Sequence, residues 1–357
     1  MNVLSLFDGM ACGRIALERA GIKVDSYYSA EIDKYAVKIA DKNYPQDADK
    51  RLGDVTKWRD WDIDWSSIDL VTGGFPCQAW SVAGKGLGDR DERGMLFWTM
   101  LDIMKNVLYH NPKAKFLMEN VRMKKEFEDY ITEHTEKALG MVHKHLINSS
   151  LVSAQNRKRF YWTNIEGIEQ PEDKGLILKD VLEDGSVDRN KSYCLDANYF
   201  RGGNLKSYFE KHRRQLVFSN DGLCHVGDAD LNGNDSIKRV YHSAGKAPTL
   251  TTMGGGHREP KVLITVDESG NRIKNTPSIG QAKRIYSQES VCPTLNTGWT
   301  PQVHDEPKYR KLTPLECERL QTVPDNYTEG VSNTQRYKML GNGWTVDVIA
   351  HIFKGLK

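Results

Sequence analysis

Cys77 is the side chain in this sequence best placed for covalent chemistry. It stands in Gly73-Gly74-Phe75-Pro76-Cys77-Gln78, directly after the apolar run Asp69-Leu70-Val71-Thr72. Two glycines let the backbone bend sharply and approach a substrate, while proline fixes φ beside the sulfur. A loop at the carboxyl end of a strand is where open α/β sheets bind ligands, and a thiolate there is a nucleophile. Four further groups complete a site. Phe7-Asp8-Gly9-Met10-Ala11-Cys12-Gly13 is a small-residue turn between a strand and a helix, of the kind that brings backbone close to a nucleotide-like ligand. It lacks the full G-x-G-x-x-G pattern, which argues against a pyrophosphate. Glu31 and Asp54 end strands, where one suits ribose hydroxyls and the other an adenine amino group. Glu119-Asn120-Val121 closes the run Phe116-Leu117-Met118. A partly buried glutamate there can hold or donate a proton beside a ring nitrogen. In Gln155-Asn156-Arg157-Lys158-Arg159 the alternating arginines point the same way if the segment is extended, fit to grip a carbonyl oxygen and a phosphate. Taken singly, each group also has a structural reading: a buried turn cysteine, surface carboxylates, a basic strand edge that deters aggregation.

The elements that must position these groups follow from hydrophobic periodicity. Short apolar runs alternate with amphipathic stretches through the first half, the pattern of a parallel α/β sheet. Strands are expected at residues 3–7, 26–31, 69–72, 115–118, 141–147 and 160–163, and helices at 13–20, 34–42, 95–109 and 124–139. Between about 188 and 307 the texture changes to glycine, asparagine and serine with short strand-like runs and no helix-length periodicity. Arg239-Val240-Tyr241 with Pro248-Thr249-Leu250 returns 45 residues later as Arg284-Ile285-Tyr286 with Pro293-Thr294-Leu295, which reads as a duplicated strand-turn element. Helix resumes at 313–320, where Thr313-Pro314-Leu315-Glu316 has the residues of a capping box, and again at 345–353.

The chain has 357 residues, 39% hydrophobic and 27% charged, as in an ordinary globular protein of two unequal domains. Its net charge of +2 is unevenly spread. Residues 189–310 carry 18 Lys/Arg against 12 Asp/Glu, which leaves the remainder at about −4 and suggests that one domain faces a polyanion. The six cysteines (12, 77, 194, 224, 292 and 317) show no C-x-x-C spacing, so no metal site is expected. Without a signal peptide they point to a reducing cytoplasm, and no apolar run approaches membrane-spanning length.

Together these motifs resemble those of the C5-cytosine DNA methyltransferases of bacterial or phage type. Phe7-Asp8-Gly9, Glu31, Asp54, Pro76-Cys77-Gln78, Glu119-Asn120-Val121 and Gln155-x-Arg157-x-Arg159 occur in the family's order. Arg310 to Gln321 and Gly341-Asn342-Gly343 continue it, so the match spans nearly the whole chain. One departure is Ala11-Cys12, where the family often has paired glycines. The resemblance implies a class I S-adenosylmethionine-dependent, Rossmann-like catalytic domain over 1–188. A smaller β- and loop-rich target-recognition domain over 189–334 would follow, then a C-terminal helix over 335–357 returning to the first. It further implies methylation of cytosine C5 in duplex DNA after the base is flipped out. Cys77 would attack C6, Glu119 would bind the exocyclic amine and protonate N3, and Arg159 would hold O2. Arg157 would orient the loop or a flanking phosphate. The cofactor would lie against Phe7, Asp8, Gly9, Met10, Ala11, Cys12, Glu31, Ile32, Asp54, Val55, Pro76, Asn342, Trp344 and Thr345. Gln78, Ser81, Lys85 and Arg90, in a glycine-rich stretch with the composition of a lid, are expected at the DNA. So are Thr251, Thr252, His257, Arg258, Thr297 and Trp299, although the glycine run 254–256 beside them reads equally well as a plain hairpin loop. A monomer is expected, with a cognate restriction endonuclease as a functional partner. Two alternatives stand beside this reading: a methyltransferase acting on transfer RNA, and an inactive DNA-binding regulator.

Overall fold

In the computed structural model the described residues are 1–76, 94–202, 205–218, 225–228, 239–242, 261–263 and 309–357. The chain divides into two compact units: Met1–Leu176 with Cys194–Arg201 and Cys317–Lys357, and Ile177–Tyr193 with Gly202–Glu316. This partition differs from the expected boundaries. Residues 194–201 and 317–334 belong to the first unit rather than to the small domain, because their backbone and side chains pack against the first unit's own loops.

The first unit is built on β1 (Asn2–Leu6), β2 (Ser26–Ala30), β3 (Leu70–Gly73), β4 (Lys115–Val121), β5 (His143–Asn148) and β6 (Lys158–Thr163). Its helices are α1 (Cys12–Arg19), α2 (Lys34–Asn43), α3 (Met95–His110) and α4 (Lys125–Leu139), followed near the C-terminus by Asn333–Asn342 and Val346–Phe353. The strands form one sheet in the order β2-β1-β3-β4-β6-β5. All neighbours are parallel up to β4, and β6 runs antiparallel to both β4 and β5. The strand order reverses between β1 and β3, which opens a crevice at their carboxyl ends. β3 is buried at all four residues, as a strand covered on both faces must be, whereas the edge strand β5 alternates with exposed positions.

α1 packs against the helix Val346–Phe353, where Arg19 pairs with Asp347 at 2.6 Å. The helix Asn333–Asn342 was not expected from periodicity. It buries Tyr337, Met339, Leu340 and Gly341, and Tyr337 lies against the Tyr199 ring at 5.6 Å.

In the second unit the strands Leu216–Phe218 and Tyr309–Lys311 pair antiparallel, and His225–Asp228, Arg239–His242 and Lys261–Leu263 form a three-stranded sheet. The short helix Leu205–Lys211 departs from the helix-free reading of this region. Tyr208, Leu216 and Phe218 make a small apolar core that holds it, so tertiary packing supplies what periodicity did not signal. The capping box forms as expected: the Thr313 N–H donates to Glu316 Oε2 at 2.8 Å, and the Glu316 N–H donates to Thr313 Oγ1 at 3.1 Å. Among the described residues no helix is long and apolar enough to cross a membrane.

Candidate active site

The turn after β1 is shaped by three left-handed residues, Phe7 (φ 54), Gly9 (φ 61) and Ala11 (φ 66), which together reverse the chain into α1. The Gly9 N–H donates to Glu31 Oε2 at 2.8 Å, while Glu31 Oε1 accepts from the Ile32 and Asp33 amides at 2.8 and 2.7 Å. Glu31 thus binds the turn to the end of β2 and presents its remaining lone pairs outward. A Cβ on Gly9 would meet nothing within 4 Å, so the turn faces open space, and Ile32 beside it is 77% exposed. Asp54 caps the next turn, accepting from the Thr56 N–H and Oγ1, both at 2.9 Å, above the buried Val55. Asn342 is exposed and Trp344 half-buried, whereas Met10, Ala11, Cys12 and Thr345 are buried.

Two expected cofactor residues turn their side chains inward instead. The Cys12 thiol is buried, and burial pushes its pKa up to about 12. Asp8 Oδ1 accepts from Tyr27 at 2.6 Å and Ser5 at 2.7 Å, and Oδ2 faces Arg51 Nη1 at 3.6 Å. Asp8 therefore anchors the turn from below. Burial pushes its pKa up to about 6 against the opposing pull of Tyr27, Ser5 and Arg51. A carboxyl raised in this way contributes stability that is full below about pH 4 and lost as pH rises through about 6, about 3 kcal/mol in all. Urea unfolding of the wild type and Asp8→Asn between pH 4 and 7.5 should show the wild type losing ground over that window. A pH-independent difference refutes this assignment.

At the other end of the crevice, the loop after β3 is held against β4. Asn120 Nδ2 donates to the Phe75 carbonyl at 3.0 Å. A Cβ on Gly74 would lie 3.1 Å from both Glu119 Oε2 and Trp344 Nε1, so any side chain there would press on both. Pro76 is the last described residue before Cys77, which lies outside the described residues, as do Gln78, Ser81, Lys85 and Arg90. Glu119 and Arg159 form an ion pair, Nε to Oε1 at 3.0 Å, with both side chains largely buried. The register explains it: Glu119 opposes Tyr161 and Val121 opposes Arg159, so the pair is diagonal on one face of β4 and β6.

Arg157 and Arg159 converge as their spacing predicts, but on different work. Arg157 is 3% exposed. Its guanidinium donates to the carbonyls of Leu195 (3.1 Å), Gly341 (3.3 Å) and Gly343 (2.9 Å) and to Cys194 Sγ (3.4 Å). Of the two expected roles, orienting the loop or a flanking phosphate, these contacts are of the first kind: the guanidinium holds the backbone of the 194–195 and 341–343 segments. Sequence reading passed over its neighbours. Gln155 Oε1 accepts from the Leu195 N–H at 2.8 Å, and its amide donates to the Leu320 carbonyl and Gln321 Oε1. Gln321 in turn donates to the Gly343 carbonyl at 3.0 Å and accepts from Thr345 Oγ1 at 3.0 Å. Gln155 lies in the Gln155-x-Arg157-x-Arg159 pattern, whereas nothing local marks Cys194.

The same clasp leaves no room at Gly341, where a Cβ would lie 2.3 Å from the Asp196 carbonyl carbon and 2.5 Å from the Ala197 nitrogen. Both obstacles are backbone, so Gly341→Ala should cost about 1–3 kcal/mol. A urea midpoint unchanged from wild type would contradict this.

Thr251, Thr252, His257, Arg258, Thr297 and Trp299 lie outside the described residues. Among the described residues no group of three or more His, Cys, Asp or Glu side chains is placed to hold a metal ion.

A parallel sheet with one antiparallel strand beside its edge, acids after β2 and in the turn before β3, and an open turn after β1 define a class I, Rossmann-like S-adenosylmethionine-dependent methyltransferase fold. A solved methyltransferase of Entamoeba histolytica, EhMeth, shares that fold at a TM-score of 0.56 and 14% identity, covering 100% of this chain and 99% of its own. The C-5 cytosine-specific DNA methylase family model matches residues 1–357, and the chain belongs to that family. It is a DNA cytosine-5 methyltransferase. Among its relatives is the orphan methyltransferase M.SPBetaI of Bacillus phage SPbeta, 30% identical over 100% of this chain and 97% of the relative. Another is the type II methyltransferase M.HpaII of Haemophilus parainfluenzae, 28% identical over 97% of this chain and 86% of the relative.

Proposed function

We propose that this enzyme methylates cytosine C5 within one short sequence of duplex DNA, acting on a flipped-out base through a covalent bond from Cys77 to C6. The observation that carries the reading is the buried Glu119–Arg159 pair beside the loop that leads into Cys77. Cytosine C5 is a poor nucleophile, so the ring must first be activated. The Cys77 thiolate adds to C6, and the displaced electron pair moves through the ring toward N3. Glu119, carrying a proton taken up as the base enters, delivers it to N3 and binds the exocyclic amine, and Arg159 holds O2, so both draw charge away as sulfur adds. S-adenosylmethionine, when bound, supplies the electrophilic methyl group that C5 takes. Loss of the C5 proton to a base then restores the C5–C6 double bond and expels Cys77 as thiolate, while N3 returns its proton to Glu119. Neither face of C6 is reachable in a stacked duplex, so flipping costs a few kcal/mol.

The cofactor's site fits the residues present. The turn at Gly9 is open, Glu31 and Asp54 offer carboxylate oxygens for ribose and adenine groups, and exposed Ile32 offers an apolar face between them. Phe7, Val55, Pro76, Asn342 and Trp344 would close around it. Met10, Ala11, Cys12 and Thr345 would contribute as backbone or as packing behind it. Base reading is assigned to the second unit, and the phosphate contacts to Gln78, Ser81, Lys85 and Arg90. The enzyme acts as a monomer, since one flipped base needs one active site. A restriction endonuclease of the same specificity fits the type II relative, and a solitary enzyme fits the phage one.

The test is tritium transfer from labelled S-adenosylmethionine to duplex DNA of mixed sequence, followed by bisulfite sequencing of the product. Methyl at C5 in one short context is expected. Transfer to transfer RNA alone would overturn the DNA reading.

A further inference from the structure

Arg159 is the group that must hold the cytosine carbonyl, and its guanidinium is fixed from three sides. Nε pairs with Glu119, Nη1 donates to the Lys158 carbonyl at 3.0 Å, and Nη2 donates to Cys194 Sγ at 3.7 Å. The same sulfur accepts from Arg157 Nη1 at 3.4 Å, and Arg157 is itself locked by three backbone carbonyls. Cys194 therefore bridges an immobile arginine to the arginine that faces the base. The sulfur lies 35 positions along the chain from Arg159, brought there by the segment Cys194–Arg201 packing within the first unit.

We propose that Cys194 is a positioning residue of the methyl-transfer site, which holds the Arg159 guanidinium in register with Glu119 for the cytosine O2. This rests on the methyltransferase reading above and adds a second functional cysteine to it. The charged groups facing the sulfur are Arg157 and Arg159, with Glu119 beyond the latter. Burial pushes the thiol up, but the two guanidiniums outweigh it and hold it below the ordinary cysteine range. The protonated thiol turns its hydrogen to the Leu195 carbonyl, 3.5 Å away, and offers the arginines only the weak acceptor of a neutral sulfur. The thiolate accepts from both. With Cys194 absent, Arg159 keeps Glu119 and the Lys158 carbonyl but loses the contact that fixes the plane of its head; with a neutral sulfur that contact is weakened. A misplacement of that size costs catalysis rather than binding.

The experiment compares the full-length wild type with Cys194→Ala and Cys194→Ser in steady-state methyl transfer to duplex DNA. Thermal midpoints are measured alongside. Cys194→Ala is expected to lower kcat about tenfold to a hundredfold with KM for both substrates within about twofold. Serine, which accepts hydrogen bonds but stays neutral, should recover part of the loss. The ratio of wild-type to serine kcat should rise with pH as the wild-type thiol ionises. Alanine activity within twofold of wild type overturns the proposal. So do equal losses in alanine and serine at a pH-independent ratio, which would mark a merely structural sulfur. Should alanine fail to fold, the serine pH ratio decides alone. Absence of methyl transfer by the wild type would instead refute the function proposed above.

Discussion

Cys77→Ser should lose methyl transfer by at least about 10⁴-fold while still binding duplex DNA. A cysteine at its free pKa is a few per cent thiolate at neutral pH and intrinsically very nucleophilic. A serine hydroxyl is neither, and the crevice as described offers no histidine to activate it: its polar groups are Glu119, Arg159, Arg157, Asn120 and the indole of Trp344. The exchange changes one atom and leaves the loop's fastenings intact, because the Asn120–Phe75 bond and the close pass of Gly74 over Glu119 do not involve residue 77. Binding should therefore survive the loss of chemistry. Tritium transfer and a gel-shift titration on the same preparation read the two quantities separately. Serine turnover within tenfold of wild type would remove the covalent step from the mechanism. Loss of binding together with activity would make Cys77 a structural residue of the loop.

Much of the catalytic unit was legible because its central strands are buried on both faces. Such strands read as short continuous apolar runs bounded by Gly, Pro and Asp, and all six expected ones formed within a few residues of their predicted bounds. Position near a strand end then marked the site residues, as with Glu119 on β4, Arg159 on β6 and Arg157 just before it. What stayed illegible depends on contacts between distant segments. Arg157 has the same residue type and phase as Arg159, and only the approach of Leu195 and the Gly341–Gly343 turn converts it from a ligand candidate into a clasp. Asp8 sits in a turn motif that looks solvent-facing, yet Tyr27 and Ser5 draw its carboxyl inward. The helix Asn333–Asn342 has little amphipathic pattern and a glycine in its last turn, and that glycine is required because Asp196 backbone lies against it. Cys194 had neither motif nor spacing to mark it.

Glu119→Gln carries the second large effect, and its form distinguishes proton transfer from mere positioning. Glutamine has nearly the same shape, so Oε1 can still accept from Arg159 Nε and the packing against Gly74 is unchanged. What disappears is the charge that balances Arg159 and the ability to deliver a proton to N3 as sulfur adds to C6. Removing a positioned general acid costs about 10²–10⁴-fold, so kcat should fall by that factor with little change in KM for DNA. Glu119→Asp keeps the acid but draws it back by one methylene from a pair now at 3.0 Å. If proton delivery dominates, aspartate should exceed glutamine in rate, because a shortened acid still reaches N3 through a small shift of the base or a water. Should the charge balance of Arg159 dominate instead, Arg159→Ala would be as slow as Glu119→Gln, and the double variant no slower than either. Single-turnover rates for the four proteins give the coupling energy directly. Glutamine within threefold of wild type would remove Glu119 from the chemical step and leave the activation of the ring to Cys77 and Arg159 alone.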